Sequence, residues 1–267
     1  HKNKIQGKYP ANTSKSATRS MPHIAAKRIC LIRTSAIGDT VHALGLLNGL
    51  RKGYPDAHLT WVLQKIPYEM VQHQPGINQF ITFNRKGGLK DWRELLGKLR
   101  AQSFDLAVVP QASAKVSLIT LLVKAGIRLG FDFKRSREFH WLVTNRHIPS
   151  RPMGHVQDQF LEFLENLGIT DYQAQWHFAF TSEELAWQQS YFNALGRPAA
   201  GFVIASAHPE KDWPADRYAR TIDYVSRVLD LQPLLIGGPS EAERKLAAAV
   251  AEMSHCEPTL ALEKPIR

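Results

Sequence analysis

The sequence predicts an α/β protein built as two parallel-sheet domains, and three observations carry that prediction. Its 267 residues exceed the roughly 100 to 200 of an ordinary single core. Short β-rich runs alternate with segments of helical period, and parallel neighbours need the return connection that such a helix supplies. The alternation also restarts in the second half, so a second sheet follows the first.

The first strand is RICLIR (28 to 33), followed by a helix from about Asp39 to Lys52 that Gly53 closes. Further strands are expected at 58 to 64, 79 to 83, 106 to 110 and 127 to 131, with helices near 67 to 73, 90 to 101 and 114 to 125 between them. Residues 132 to 154 read as an irregular basic and aromatic stretch. In HVQDQFLEFLENLG, Val156, Phe160, Phe163, Leu164 and Leu167 share one helical face and Gly168 is the stop. That helix ends the first domain, set at 27 to 175. The second, 176 to 267, opens on a helix with Thr181 and Glu184 at capping-box spacing. A strand at 201 to 207, a helix at 214 to 229, a strand at 232 to 238 and a helix at 239 to 253 follow. Two clear strands and one further candidate make a small sheet, so the second domain is expected to be incomplete.

Composition narrows the function classes. Hydrophobic residues are 44% and charged residues 22% of the chain, a globular profile that excludes collagen-like, coiled-coil and disordered readings. The net charge of +10 raises nucleic acid or an anionic membrane as a partner. However, residues 1 to 28 hold seven of the 34 basic side chains and none of the 24 acidic ones, so the remainder carries only +3. Residues 1 to 26 read as a disordered basic tail or expression remnant, and nucleic-acid binding through them ranks low. Two cysteines, Cys30 and Cys256, provide neither a disulfide framework nor a CxxC metal site, which fits a reducing cytoplasmic setting. No apolar run approaches the roughly 18 residues of a membrane span, so any membrane contact is expected to be peripheral.

Open α/β sheets bind ligands at the carboxyl ends of their strands, and three loops stand out there. In RTSAIGDTVHA (33 to 43), Gly38 lets backbone come close to a ligand, and Asp39 is the only carboxylate between Arg33 and Lys52. Asp39 reads either as a general base or as the helix N-cap, and both roles can hold together. The loop is neither a GxGxxG fingerprint nor a Walker A loop, which removes the main support for dinucleotide and P-loop readings. In ASAHPEKDWPADRY (205 to 218), Ser206, backbone N–H groups and the Lys211 ammonium can hold a diphosphate, or Lys211 is simply a solvated charge. In LLIGGPSEAER (234 to 244), Glu241 accepts ribose hydroxyls or complements the helix dipole.

Taken in order, SAIGD with HALGLLNGLRKGYPDA after it, GHVQDQFLEFLENLG, KDWPADRYA and GGPSE resemble glycosyltransferase family 9, the bacterial lipopolysaccharide heptosyltransferases. The resemblance runs from about Arg28 to the end. It implies a GT-B fold, two Rossmann-like domains facing a cleft, with an inverting, metal-independent transfer and no cofactor beyond an ADP-sugar donor. By resemblance, Asp39 is the base for the acceptor hydroxyl and Lys211 the ligand of the donor phosphates. Ser206 faces the diphosphate and Glu241 the donor ribose. Departure of a diphosphate builds negative charge that a fixed cation and N–H groups stabilise, which agrees with these roles. The acceptor is implied to be Kdo-lipid A or an inner-core oligosaccharide, met at the cytoplasmic face of the inner membrane. Arg128, Lys134, Arg135 and Arg137 are the cations expected to meet it, interleaved with Phe131, Phe133, Phe139 and Trp141; the same segment also reads as a solvated loop with anchoring aromatics.

Two departures from the family pattern stand out. Its D-[ST]-G-P-x-H loop is not found, so the chain is expected to be truncated within the second domain. A catalytically inactive acceptor- or nucleotide-binding module is therefore the alternative reading. Gly45 also replaces the usual Pro of the first helix, a change expected to bear on packing more than on chemistry.

Overall fold

The computed structural model describes residues 24–84, 87–172, 175–176, 178–204 and 209–262. The expected tail at 1 to 26 lies outside them through residue 23, whereas Ile24 is buried. Two compact units emerge. Residues up to Pro67 with Gly76–His177 form one, and Tyr68–Pro75 with Phe178–Arg267 form the other.

In the first unit the elements follow as β1 (Arg28–Ile32), α1 (Ile37–Gly53), β2 (His58–Gln64), α2 (Lys65–Val71), β3 (Gln79–Phe83), α3 (Gly88–Arg100), β4 (Phe104–Val108), α4 (Ala114–Leu122), β5 (Ala125–Gly130), α5 (His140–Val143), β6 (Arg146–His147) and α6 (Val156–Asn166), α2 running into the residues grouped with the second unit. The sheet is parallel throughout, in the order β3-β2-β1-β4-β5-β6. This is the doubly wound order, whose reversal beside β1 opens a crevice at the strands' carboxyl ends. Burial on both faces explains why β1 reads as an unbroken apolar run: Ile29, Cys30, Leu31 and Ile32 are all buried. Cys30, Ile32, Val62, Ile81 and Val109 meet Leu95 and Leu99 of α3 and Val116 and Ile119 of α4 in one core.

The segment expected to be irregular is largely ordered, since it holds α5 and the edge strand β6. Both are too short, at four and two residues, to leave a periodic pattern. Gly168 does end α6, with φ of 78°, Gly168 N–H donating to Glu165 O at 3.0 Å and Ile169 N–H to Leu164 O at 2.9 Å. Helix α1 packs directly against α6. Gly45, Gly49 and Gly53 lie four apart on α1 and form one stripe. A Cβ on Gly45 would come 2.7 Å from Gln157 Nε2, and one on Gly49 or Gly53 would overlap Leu164 or Ile169. Gly45 therefore admits a polar side chain to the helix surface, and Gly53 serves this approach as well as the helix end.

The second unit contains α7 (Ser182–Ala194), β7 (Ala199–Val203), α8 (Ala215–Val228), β8 (Gln232–Gly237), α9 (Glu241–Met253) and β9 (Thr259–Leu262). Its parallel sheet has the order β7-β8-β9, so the third strand candidate is a strand. Ile204, Ile222, Leu235, Ala247 and Val250 form its core. The Thr181 capping box is present, Thr181 Oγ1 accepting from Glu184 N–H at 3.1 Å and Thr181 N–H donating to Glu184 Oε2 at 2.7 Å.

Candidate functional site

In the first unit the chemistry gathers where β1 gives way to α1. The N-cap of α1 is Ala36, not Asp39, which occupies the third helical position. There Asp39 Oδ2 accepts from Ala36 N–H at 3.2 Å and forms an ion pair with Arg33. Oδ1 has no hydrogen bond among the described residues, and about a third of the side chain is exposed, at 34%. The N-cap reading of Asp39 is thus corrected: its carboxylate reaches back from the third helical position to the N-cap backbone through Oδ2 alone. Arg33 is 8% exposed and is held, besides Asp39, by two contacts: it donates through Nη1 to Pro110 O at 2.8 Å and lies 5.2 Å from the Phe160 ring of α6. Burial pushes its guanidinium down from the usual arginine range, and the Asp39 charge opposes that shift. Thr34 extends the frame, its N–H donating to Gln111 Oε1 at 2.8 Å and its hydroxyl reaching the same atom at 3.1 Å.

Six residues on from Ala36 along α1, His42 contacts the start of α6. Its Nδ1 is 3.3 Å from Gln157 Oε1, and its ring meets that of His155 edge-on at 5.5 Å. Gln157 Oε1 also accepts from Trp176 Nε1 at 3.1 Å. His155 Nδ1 caps α6 by accepting from Gln157 N–H at 3.2 Å. Close packing at Gly45 is what lets Gln157 sit there. The SAIGD and GHVQDQF segments, far apart in sequence, therefore border one surface of the first unit. Reading along the sequence singled out Asp39 but missed Arg33, Gln111, His42 and Gln157, because their roles depend on contacts from distant strands and helices.

In the second unit, Lys211 is exposed at the end of a single 3-10 turn, Pro209–Lys211, ahead of α8. The loop is anchored around it: Trp213 meets the Tyr218 ring at 5.4 Å, and Tyr218 Oη donates to Val203 O at 3.1 Å. Ser206 lies outside the described residues. Glu241 pairs with Lys245 at 2.7 Å and is largely exposed. The acid that holds the GGPSE loop is instead Glu243 of the first turn of α9, which accepts from Gly238 N–H at 2.7 Å and from Ser240 N–H at 3.2 Å. Hydrogen bonds from the Ser240 hydroxyl and Gly238 N–H pull its carboxyl below the usual glutamate range. The S-x-x-E spacing of Ser240 and Glu243 is a capping-box signal that was present in the sequence.

The four cations expected toward an acceptor separate. Arg135 is corrected to an internal role. Its side chain is 4% exposed, paired with Asp132 and, at 2.8 Å, with Glu162 of α6, and its Nη2 donates to Pro149 O at 2.9 Å. Burial lowers its basicity, but the Glu162 and Asp132 contacts outweigh this and raise it. Arg128 is half-buried in β5, with its N–H donating to Asn145 Oδ1 at 2.7 Å. Lys134 and Arg137 are exposed.

Comparison with known proteins gives a consistent result. Residues 92–263 match the model of glycosyltransferase family 9 (heptosyltransferase). The lipopolysaccharide core heptosyltransferase OpsX of Haemophilus influenzae is 28% identical over 235 residues, covering 88% of this chain and 67% of that protein. Among solved structures, a family 9 glycosyl transferase of Veillonella parvula superposes with a TM-score of 0.78 at 25% identity, over 89% of this chain and 70% of that one. Escherichia coli heptosyltransferase WaaC with ADP gives 0.71 at 20% identity, over 90% and 76%, and supports the fold.

Proposed function

The chain belongs to glycosyltransferase family 9, the heptosyltransferase family, and from that membership we propose that it transfers heptose from ADP-heptose to a lipopolysaccharide inner-core acceptor, either Kdo or an attached heptose. The transfer inverts the sugar carbon and needs no metal ion. The acceptor oxygen forms the new bond to that carbon as the bond to the ADP phosphate breaks, and the hydroxyl proton passes to a base. One observation carries the base assignment. Asp39 Oδ2 is held by Arg33 and Ala36 N–H, while Oδ1 is left without a partner among the described residues and partly exposed at the carboxyl end of β1. A carboxylate fixed through one oxygen presents the other in a constant direction, which general-base catalysis requires.

Lys211 stabilises charge on the departing ADP, and Ser206 with the N–H groups before α8 completes that role. Glu241 holds the donor ribose. Arg128, Lys134 and Arg137 meet the anionic acceptor, which places the protein peripherally at the cytoplasmic face of the inner membrane. Support for the nucleotide comes from the WaaC structure, which is one with ADP, and for the acceptor class from the names of the relatives.

The test is incubation with ADP-heptose and Kdo-lipid A, with product mass as readout and EDTA in a parallel reaction. Asp39→Asn is expected to lower kcat by about 100-fold or more while ADP binding, followed by calorimetry against UDP and GDP, is unchanged. Lys211→Ala is expected to weaken ADP binding. Full activity of Asp39→Asn would remove the base assignment. Selective ADP binding without any turnover would favour a nucleotide-binding module instead.

A further inference from the structure

Helix α4, the loop after β5 and α5 place large apolar and cationic groups outward. Phe139 is 74% exposed, Leu142 60%, Leu121 58% and Leu118 47%. Phe133 and Trp141, also exposed, meet edge-on at 5.4 Å. These side chains come from α4, from α5, which packs against it, and from the loop before α5. Ser117 Oγ donates to Glu138 O at 3.3 Å, which fastens that loop to α4. Both acids of the segment already have partners within the unit, Asp132 buried and Glu138 at the surface. Asp132 pairs with buried Arg135, and the Glu138 carboxylate accepts from Ala114 N–H at the start of α4. Lys134 and Arg137, between them in sequence, are exposed and have no ion pair among the described residues.

Large exposed apolar side chains normally mark an interaction surface. Aromatics beside cations that have no ion pair among the described residues, with both carboxylates of the same segment already engaged, match the boundary of an anionic bilayer: rings and leucines enter the headgroup region while Lys and Arg meet lipid phosphates. Neither α4 nor α5 is long enough to span a bilayer, and no described helix is. We propose that the α4–α5 face, through Leu118, Leu121, Phe139, Trp141 and Leu142 with Lys134 and Arg137, is the surface by which this protein docks on an anionic lipid bilayer. The proposal deepens the reading of peripheral membrane association, on which it rests, by naming the surface.

Co-sedimentation of the full chain with phosphatidylcholine vesicles, with and without phosphatidylglycerol, tests it at neutral pH. The vesicles contain no glycolipid acceptor, so failure to dock does not speak to heptosyl transfer. Binding is expected only with the anionic lipid. The double variant Leu121→Ser/Leu142→Ser leaves every charge in place, including those of the basic N-terminal residues, and is expected to lose about tenfold or more in partitioning. It is expected to retain transfer to detergent-dispersed acceptor, which also reports that it is folded. Leu89→Ser, at an 85% exposed leucine of α3, is the control and is expected to bind as wild type. Wild-type partitioning by the double variant would overturn the proposal and leave the basic N-terminal residues as the membrane contact; equal loss in Leu89→Ser would overturn it as well.

Discussion

The contrast between Arg135 and Lys134 is one of direction, which a charge count does not contain. Both are basic and adjacent, yet Arg135 is enclosed by Asp132, Glu162 and Pro149 O while Lys134 faces solvent. Removing one member of a buried ionic cluster leaves the others desolvated and unpaired, at a cost of about 3–5 kcal/mol. Arg135→Met is therefore expected to lower unfolding free energy by that amount in urea titration. Lys134→Ala is expected to change it by less than about 0.5 kcal/mol. A stable Arg135→Met protein with weakened acceptor binding would return Arg135 to the acceptor site. The i, i+3 spacing from Asp132 to Arg135 was visible in the sequence; Glu162, 27 residues away, was not. Asp39 was legible for the opposite reason, as the only carboxylate in a strand-end loop, whereas Arg33 read as the end of a strand because its distant partners come from the loop after β4 and from α6.

At the scale of elements, periodicity located the long helices and buried strands and failed at α5 and β6, which are too short to carry a period. It also left the α1–α6 contact unread. Glycines four apart in a helix cost intrinsic helix stability, so their presence in α1 needs a tertiary reason, and the reason is the approach of Gln157, Leu164 and Ile169. That approach separates two substitutions that helix propensity alone would score alike. Gly49→Ala places a methyl group into Leu164 and is expected to destabilise the protein by about 1–3 kcal/mol. Gly97→Ala, on an exposed turn of α3 where an added Cβ meets nothing within 4 Å, is expected to stabilise it by about 0.5–1 kcal/mol. Thermal unfolding of the two variants beside wild type decides, and Gly49→Ala melting at or above wild type would mean that the two helices part without cost.

For the molecule as a whole, parallel sheets in both halves were legible because the strand–helix alternation forces them, while the strand order was not, since it depends on which crossovers pass which face. The two units carry separate responses to acid. In the first, His140 is fully buried and neither ring nitrogen has a partner among the described residues. Burial, with a smaller contribution from the nearby His147 charge, pushes it down from the ordinary 6.5 to about 4. A histidine depressed in the folded state binds its proton more readily when unfolded. Its contribution is therefore present above 6.5 and lost as pH falls toward 4, at up to about 1.4 kcal/mol per pH unit. In the second unit, burial alone would raise the Asp223 carboxyl, but donors from His255 and Cys256 outweigh it and lower it. That stability is present above the unfolded aspartate value and is lost only as pH falls below it. Acid should thus loosen the first unit before the second. Amide hydrogen exchange reports this directly, with Leu129 in β5 and Leu235 in β8 as probes. Between pH 6.5 and 4.5 the protection of Leu129 is expected to fall while that of Leu235 holds, and His140→Leu is expected to flatten the first slope without moving the second. Parallel loss at both probes, unchanged in His140→Leu, would show that a charge common to the whole chain sets its acid limit, and that the buried histidine does not.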